Sequence, residues 1–328
     1  MPALIPVDNN LGAVFIGVVL SAVIYGITWM QIYMYYTEYG VRDNRFLKSF
    51  VALLMALDTL HLAFLIHGTY HVAVTNFGDY LSDLIAPWSL ISNILIGIIM
   101  GKLVQLFYAY RLYHLSNGSP YVPAVIAMLS AVELGLGIKY VVVCFKAKYY
   151  SAGPTEIPWS VSALSSEVTC DFLITVSMVR YLLGSRGARQ TTNQAIMTLV
   201  RYVVNSGALT LAFAIACLVS FIKTPRTMIY APFYFILVRL YSCAFMAILN
   251  SRTIIKEKLQ APNVMTNTNI QFPHFTRTVE SSSDDTTSRS GQANVVLSEK
   301  PNDSEVAETV EGADGIQKVF GVTAFSQV

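Results

Sequence analysis

Seven stretches of this 328-residue chain, 11–36, 48–72, 85–112, 121–145, 160–183, 196–222 and 229–249, are long and apolar enough to cross a lipid bilayer. A helical crossing takes about 20 mostly apolar residues. In hydrocarbon every backbone N–H and C=O must be satisfied within the protein, which leaves helices and closed barrels as the only spanning forms. Barrel strands are segments of about 10 residues with alternating apolar character. These stretches are longer and do not alternate, so the expected fold is all-α: a polytopic membrane bundle of seven transmembrane helices. The composition supports this, at 54% hydrophobic, 13% charged and mean hydropathy +0.51. Soluble domains carry about 25% charged residues, and a soluble fold has too little interior to hide so much apolar surface. A net charge of +2 exerts no pull on nucleic acid. The lipid bilayer is the expected partner and nucleic acid is not.

The connections are short and carry turn residues, as in Asn117-Gly118-Ser119-Pro120 and Gly153-Pro154-Thr155-Glu156-Ile157-Pro158, and Thr224-Pro225 separates the last two segments. No internal repeat of fixed period stands out. The first ten residues hold no Lys or Arg, so the basic region of a signal peptide is missing and the first segment is expected to stay as an anchor. Lys and Arg near helix ends set orientation, because they collect on the cytosolic side. With the N-terminus outside, that side holds Arg42, Arg45, Lys48, Arg111, Arg180, Arg186, Arg189, Arg201, Arg252, Lys256 and Lys258, against Lys146, Lys148, Lys223 and Arg226 opposite. Eleven against four favours N-outside, C-inside. Tyrosines 33, 35 and 36 at the end of segment one and 108, 110 and 113 at the end of segment three fit interfacial aromatic belts. The organisation expected is a short extracellular N-terminus (1–10), the seven-helix domain (11–252) and a disordered cytosolic tail (253–328). The tail turns Ser-, Thr- and acid-rich from about residue 259, too polar to fold alone. Its Ser281–Ser288 stretch suits phosphorylation and a cytosolic partner, or serves only as a solvated tail.

Ionisable groups at bilayer depth are costly and mark functional hypotheses. Here they are Asp58, Lys102, Glu133, Lys139, Glu167, Asp171 and Arg239, joined by the titratable His61. Asp58 and His61 are three apart, and Glu167 and Asp171 four apart, so each pair shares a helix face. Arg239, mid-way along segment seven, needs a carboxylate, and Asp171 and Glu133 stand at similar depth. Lys102 and Lys139 lie off-centre and can reach a headgroup region by snorkelling. Asp58, His61, Glu133, Glu167, Asp171, Asn205 and Arg239 form the candidate buried polar site, open to two readings: a polar cavity for a ligand, ion or proton, or structural pairs that fix helix register.

Other chemistry finds little support. His67 and His71 have a spacing able to grip a metal, and Asp79 and Asp83 follow, but no HExxH pattern is present. No metal or other cofactor is expected. Cys144, Cys170, Cys217 and Cys243 all lie in apolar segments without CxxC spacing and read as small hydrophobes. The nucleophile elbow, the phosphate-binding loop and the dinucleotide fingerprint are missing, so no catalytic residue is assigned and an enzyme is the least supported reading. A retinal pigment needs a Lys in the last helix, where Arg239 stands. The Gly97-Ile98-Ile99-Met100-Gly101 spacing reads as helix packing.

Several ordered stretches carry a family resemblance: Gly17-Val18-Val19-Leu20-Ser21-Ala22-Val23-Ile24-Tyr25-Gly26, Leu57-Asp58-Thr59-Leu60-His61, Thr75-Asn76-Phe77-Gly78, Trp88-Ser89, Gln105-Leu106-Phe107-Tyr108-Ala109-Tyr110-Arg111-Leu112, Asp171, Ser185-Arg186-Gly187, Arg201-Tyr202, Asn205-Ser206-Gly207-Ala208-Leu209-Thr210, Leu240-Tyr241 and Leu249-Asn250-Ser251-Arg252. The chain resembles fungal seven-helix membrane proteins of the kind found in mushroom-forming fungi, with the domain of unknown function 6534 over about 165–254. Ser206 and Arg239 depart from that pattern, where Thr and Lys are commoner. The resemblance implies the seven-helix architecture and no established activity, ligand or catalytic residue.

Two functional expectations remain. One is a receptor-like sensor for a small molecule, with the plasma membrane as its favoured site. Against it, Tyr110-Arg111-Leu112 is not an acid-Arg-aromatic switch, segment seven has no Asn-Pro-x-x-Tyr, and no Cys can tie an outer loop to segment three. The other is a transporter of a small molecule, ion or lipid that uses the buried charges. Against that, no inverted repeat or paired broken helices appear. The orientation carries a direct test in the sequons Asn117-Gly118-Ser119 and Asn302-Asp303-Ser304, both placed in the cytosol. Neither takes glycan in a eukaryotic host, and a mass loss on glycosidase digestion would overturn N-outside.

Overall fold

The computed structural model describes residues 11–41, 43–76, 87–116, 118–147, 157–185, 190–225 and 227–260. The N-terminus 1–10, Arg42, Asp79 and Asp83, Asn117, Arg186 and Arg189, Arg226 and the tail from 261 lie outside them. Among the described residues, seven helices are long and apolar enough to cross a membrane. They are α1 (Leu11–Tyr39), α2 (Arg45–Tyr70, continued by a π-helical turn to Thr75), α3 (Trp88–Leu115), α4 (Tyr121–Ala147), α5 (Ile157–Gly184), α6 (Gln190–Lys223) and α7 (Ala231–Gln260). This is the architecture of a multi-pass membrane protein. The last helix passes the boundary drawn at residue 253, because polar residues such as Lys and Glu are good helix formers once the chain leaves hydrocarbon.

Side-chain contacts fix the alternation of the helices. Tyr25 meets Thr59 between α1 and α2, His67 meets Ser89 between α2 and α3, and Gly137 abuts Ile98 between α4 and α3. Cys170 on α5 lies 4.0 Å from the Ile126 carbonyl on α4, and Cys217 on α6 lies 3.8 Å from the Tyr230 carbonyl before α7. His67 with Ser89 and Cys217 with Tyr230 join the end of one helix to the start of the next, and the mid-helix contacts of Tyr25, Gly137 and Cys170 keep the other neighbours side by side. One face of the bundle therefore carries Leu11, Thr75, Trp88, Lys146, Ile157, Lys223 and Met228. We call it the N-terminal face and its opposite the C-terminal face.

The α7 helix is the hub. Over its apolar window 67% of residues are buried, against 50% for α3 and no more than 33% for any other helix. It runs parallel to α1, as the contacts of Gly17 with Pro232 and of Gln31 with Asn250 require. The remaining helices turn large apolar side chains outward, among them Phe15, Met30, Met128, Phe172 and Ile222. Large apolar side chains exposed in such number are expected of a surface that meets lipid.

Close helix approach depends on small residues. At Gly97 an added Cβ would lie 2.5 Å from the Tyr234 hydroxyl and 2.9 Å from Val238, so α3 and α7 touch there. The Gly97–Gly101 spacing thus serves packing. At Gly207 an added Cβ would meet the Thr175 side chain at 2.4 Å. At the C-terminal face Arg252 grips Asp43 through two nitrogens, at 3.1 and 2.7 Å, while Tyr35 donates to the same carboxylate at 2.9 Å. The Tyr39 ring lies 4.3 Å from the Arg252 guanidinium. A bidentate pair of this kind fixes direction as well as distance, and it ties the end of α7 to α1 and the α1–α2 turn.

Thr175 is β-branched, stiff at χ1, and bonded to the Asp171 carbonyl at 2.8 Å. It cannot move aside for a methyl group. Gly207→Ala should therefore cost about 1–3 kcal/mol of stability by overpacking. Gly135→Ala, where nothing lies within 4 Å, should be neutral or stabilising by up to about 1 kcal/mol. Thermal melts of the detergent-solubilised protein check the contrast, and equal melting points would contradict the close α5–α6 approach.

Candidate functional site

The buried charges divide into two clusters, and α7 serves both. The first surrounds Arg239. Arg239, Asp58, His61 and Ser21 each have 0% exposure. The Arg239 Nη1 lies 2.5 Å from Asp58 Oδ1, a close ion pair rather than an aligned hydrogen bond. The same nitrogen donates to the Asp58 carbonyl at 2.7 Å, and Nε donates to Ser21 Oγ at 3.0 Å. Nη2 lies 2.9 Å from His61 Nδ1. A guanidinium only donates, so Nδ1 accepts and the ring proton of His61 sits on Nε2. Asn93 on α3 donates to the His61 carbonyl at 2.8 Å. The Tyr25 ring lies 5.5 Å from the guanidinium. One side chain on α7 thus gathers α1 and α2, with α3 joined through Asn93.

The second cluster joins α3, α4, α5 and α7. Lys102 forms an ion pair with Glu133 and donates to Gln105 Oε1 at 2.7 Å. Gln105 Nε2 lies 3.5 Å from Glu133 Oε2 and 3.4 Å from Asp171 Oδ1. The Tyr241 hydroxyl reaches Asp171 Oδ2 at 2.6 Å and Glu167 Oε1 at 3.0 Å. A phenol has one proton, yet it faces two carboxyl groups. Across the cluster one base meets three acids.

A cavity of about 130 Å³ ends on this cluster. Lys102, Glu133 and Glu167 line it at one end, and Val14, Leu90, Ser160, Phe221, Met228 and Tyr230 line it near the N-terminal face. Its walls are mainly apolar and aromatic. A second cavity of about 40 Å³ lies on the other side of the same polar layer, lined by Gln105, Asp171 and Tyr241 and, toward the C-terminal face, by Met178, Val203 and Ile248. Arg239, Asp58 and His61 line neither cavity. The two clusters therefore differ in kind: one is sealed among helices, and the other borders space large enough for several waters or a small organic group.

Two expectations about partners are corrected. Arg239 pairs with Asp58, not with Asp171 or Glu133, because the face of α7 that bears it packs on α1 and α2. Lys102 does not snorkel; it is buried beside Glu133. Lys139 is exposed, with its ammonium 5.5 Å from the Trp159 ring. Asn205 is also exposed, on the side of α6 away from Val203 and Thr210, and does not join the buried site. Thr210 is buried but donates within its own helix, to Gly207 O at 3.1 Å. His67 bonds Ser89 and His71 bonds Asn76, and no group of three metal-ligating side chains occurs among the described residues. Gln105 and Tyr241, which link the acids, were not singled out as site residues. The available signal was weak: Gln105 lies three positions after Lys102, on the same helix face.

Residues 167–254 match the profile of a family described as "Family of unknown function (DUF6534)". The matched region spans α5 through most of α7 and holds Glu167, Asp171, Arg239 and Tyr241, while Asp58, Lys102 and Glu133 lie before it. No curated protein and no solved structure matches the chain.

The sealed cluster makes a clear thermodynamic forecast. Removing one partner of a buried pair strands the other charge, at about 3–5 kcal/mol, whereas replacing both by apolar groups is often neutral. Arg239→Met should sharply lower the melting temperature, and Arg239→Met with Asp58→Leu should restore most of it. A double variant as unstable as the single one would show that the pair does not act as a unit.

Proposed function

We propose that this protein is a receptor-like sensor of a small molecule, which enters from the N-terminal face and binds above the Lys102–Glu133–Glu167 layer. The observation that carries this reading is the cavity itself. It combines largely apolar walls with a few convergent polar groups at one end, the usual character of a ligand site. Its floor is shared by α3, α4, α5 and α7. A ligand that binds one arrangement of that floor better than another biases four helices at once, and their other ends reach the C-terminal face. The charge asymmetry of the helix ends favours N-outside, so the cavity faces the exterior and the tail faces the cytosol, and the plasma membrane is the fitting location.

One observation favours a second reading, a transporter. The smaller cavity beyond Gln105, Asp171 and Tyr241 places space on both sides of the same polar layer, as an alternating-access site requires.

Cys144 separates the two, because it lines the large cavity and is partly exposed. With the other three cysteines replaced by Ala, a small impermeant methanethiosulfonate reagent should label Cys144 from the N-terminal face of sealed vesicles and not from the opposite one. Labelling from both faces would identify a transporter, and labelling from the C-terminal face alone would remove the sensor reading.

A further inference from the structure

We propose that the large cavity takes a small amphipathic amine, with Glu167 as the carboxylate that meets its ammonium group. This rests on the reading of the cavity as a ligand site and adds the chemical class of the ligand.

Among the described residues that line the cavity Lys102 is the single base, and its ammonium is already engaged by Glu133 and by Gln105. Glu167 also lines the cavity, and its Oε1 shares one phenolic proton, that of Tyr241, with Asp171. Asp171 also accepts from Gln105 Nε2 at 3.4 Å, so Glu167 is the more weakly compensated of the two. Uncompensated negative charge in a low-dielectric site is strongly unfavourable. An incoming cation compensates that charge directly. An anionic ligand would instead meet Glu133 and Glu167, and like charges at close range reject a ligand.

The walls point to the same class. Tyr140, Tyr230, Tyr234 and Phe235 present rings to the cavity. The Tyr234 hydroxyl is committed to the Ile94 carbonyl at 3.0 Å, so this residue offers its ring rather than its oxygen. Aromatic faces attract organic cations and also accept an apolar body. Size completes the description. The cavity holds about 130 Å³, close to the roughly 150 Å³ of an engineered cavity that accepts benzene. The ligand is therefore about one ring or a short branched chain in size, with its cationic end toward Glu167 and its apolar end toward the N-terminal face.

A matched set of probes tests this on the full chain in lipid nanodiscs, with empty nanodiscs as the blank: benzylamine, benzyl alcohol, toluene and benzoate, followed by saturation-transfer NMR titration. Benzylamine should bind at least about tenfold more tightly than benzyl alcohol, about 1.4 kcal/mol in binding free energy, and benzoate should not bind. Glu167→Gln should erase that preference. If Glu167→Gln does not fold, Glu167→Asp, which draws the carboxylate back by one methylene, should reduce the preference. Benzyl alcohol or benzoate binding as well as benzylamine would overturn the amine and leave the cavity as a ligand site. A preference that survives unchanged in the variant would overturn the role of Glu167. Binding of none of the four probes would overturn both the amine and the ligand-site reading.

Discussion

A guanidinium at the centre of the last helix has to be met by other helices, and the bundle is arranged around that requirement. Arg239 cannot reach water from its position, and no side chain of its own helix neutralises it. Ser21, Asp58 and His61 supply the acceptors from α1 and α2, and this brings the first two crossings against the last. The charge is paid for by sequence positions more than 170 residues away, so the contact can form only when both ends of the chain are in the membrane. Arg252 and Asp43 repeat the arrangement at the C-terminal face with two nitrogens on one carboxylate.

The periodicity of α7 then places a second kind of chemistry beside the first. An α-helix turns about 100° per residue, so Tyr241, two residues after Arg239, points to nearly the opposite side. Arg239 looks toward α1 and α2, and Tyr241 looks toward α3 and α5. The same helix therefore closes a sealed ion pair on one side and bridges two acids on the other. The sealed pair holds the helices in place. The bridged acids, with Lys102 and Glu133, are left bordering space. Proximity alone does not make these groups one site: six of the ionisable residues at bilayer depth, with His61, become a structural pin and a cavity floor because two faces of one helix separate them.

The seven crossings and their order were legible in the residues, since length and apolar character in a lipid solvent leave few alternatives. So was the need of Arg239 for a carboxylate. Its identity was not, because depth along a segment says nothing about which helices are neighbours around the bundle, and Asp58, Glu133 and Asp171 stand at comparable depth. Lys102 was misjudged for a related reason: snorkelling depends on which face of a helix meets lipid, and α3 is among the most enclosed. Asn205 failed as a site residue because a polar side chain in an apolar helix is no guide to the face it occupies. Tyr241 is one of 19 tyrosines and Gln105 is marked only by its spacing from Lys102; their role comes from what the fold brings to them. The match to a family of unknown function covers only half of this constellation, since Lys102, Glu133 and Asp58 precede it.

One polar cluster borders space that water can fill and the other is sealed, and water itself can report the difference. Hydroxyl-radical footprinting of the protein in nanodiscs, with radicals generated from water in place, modifies side chains that touch bound water even inside a bundle. The account predicts rapid modification of Tyr140, Tyr230 and Tyr234 around the large cavity. It predicts slow modification of His61, sealed beside Arg239. Equal rates at His61 and the cavity tyrosines, or protection of all of them, would contradict it.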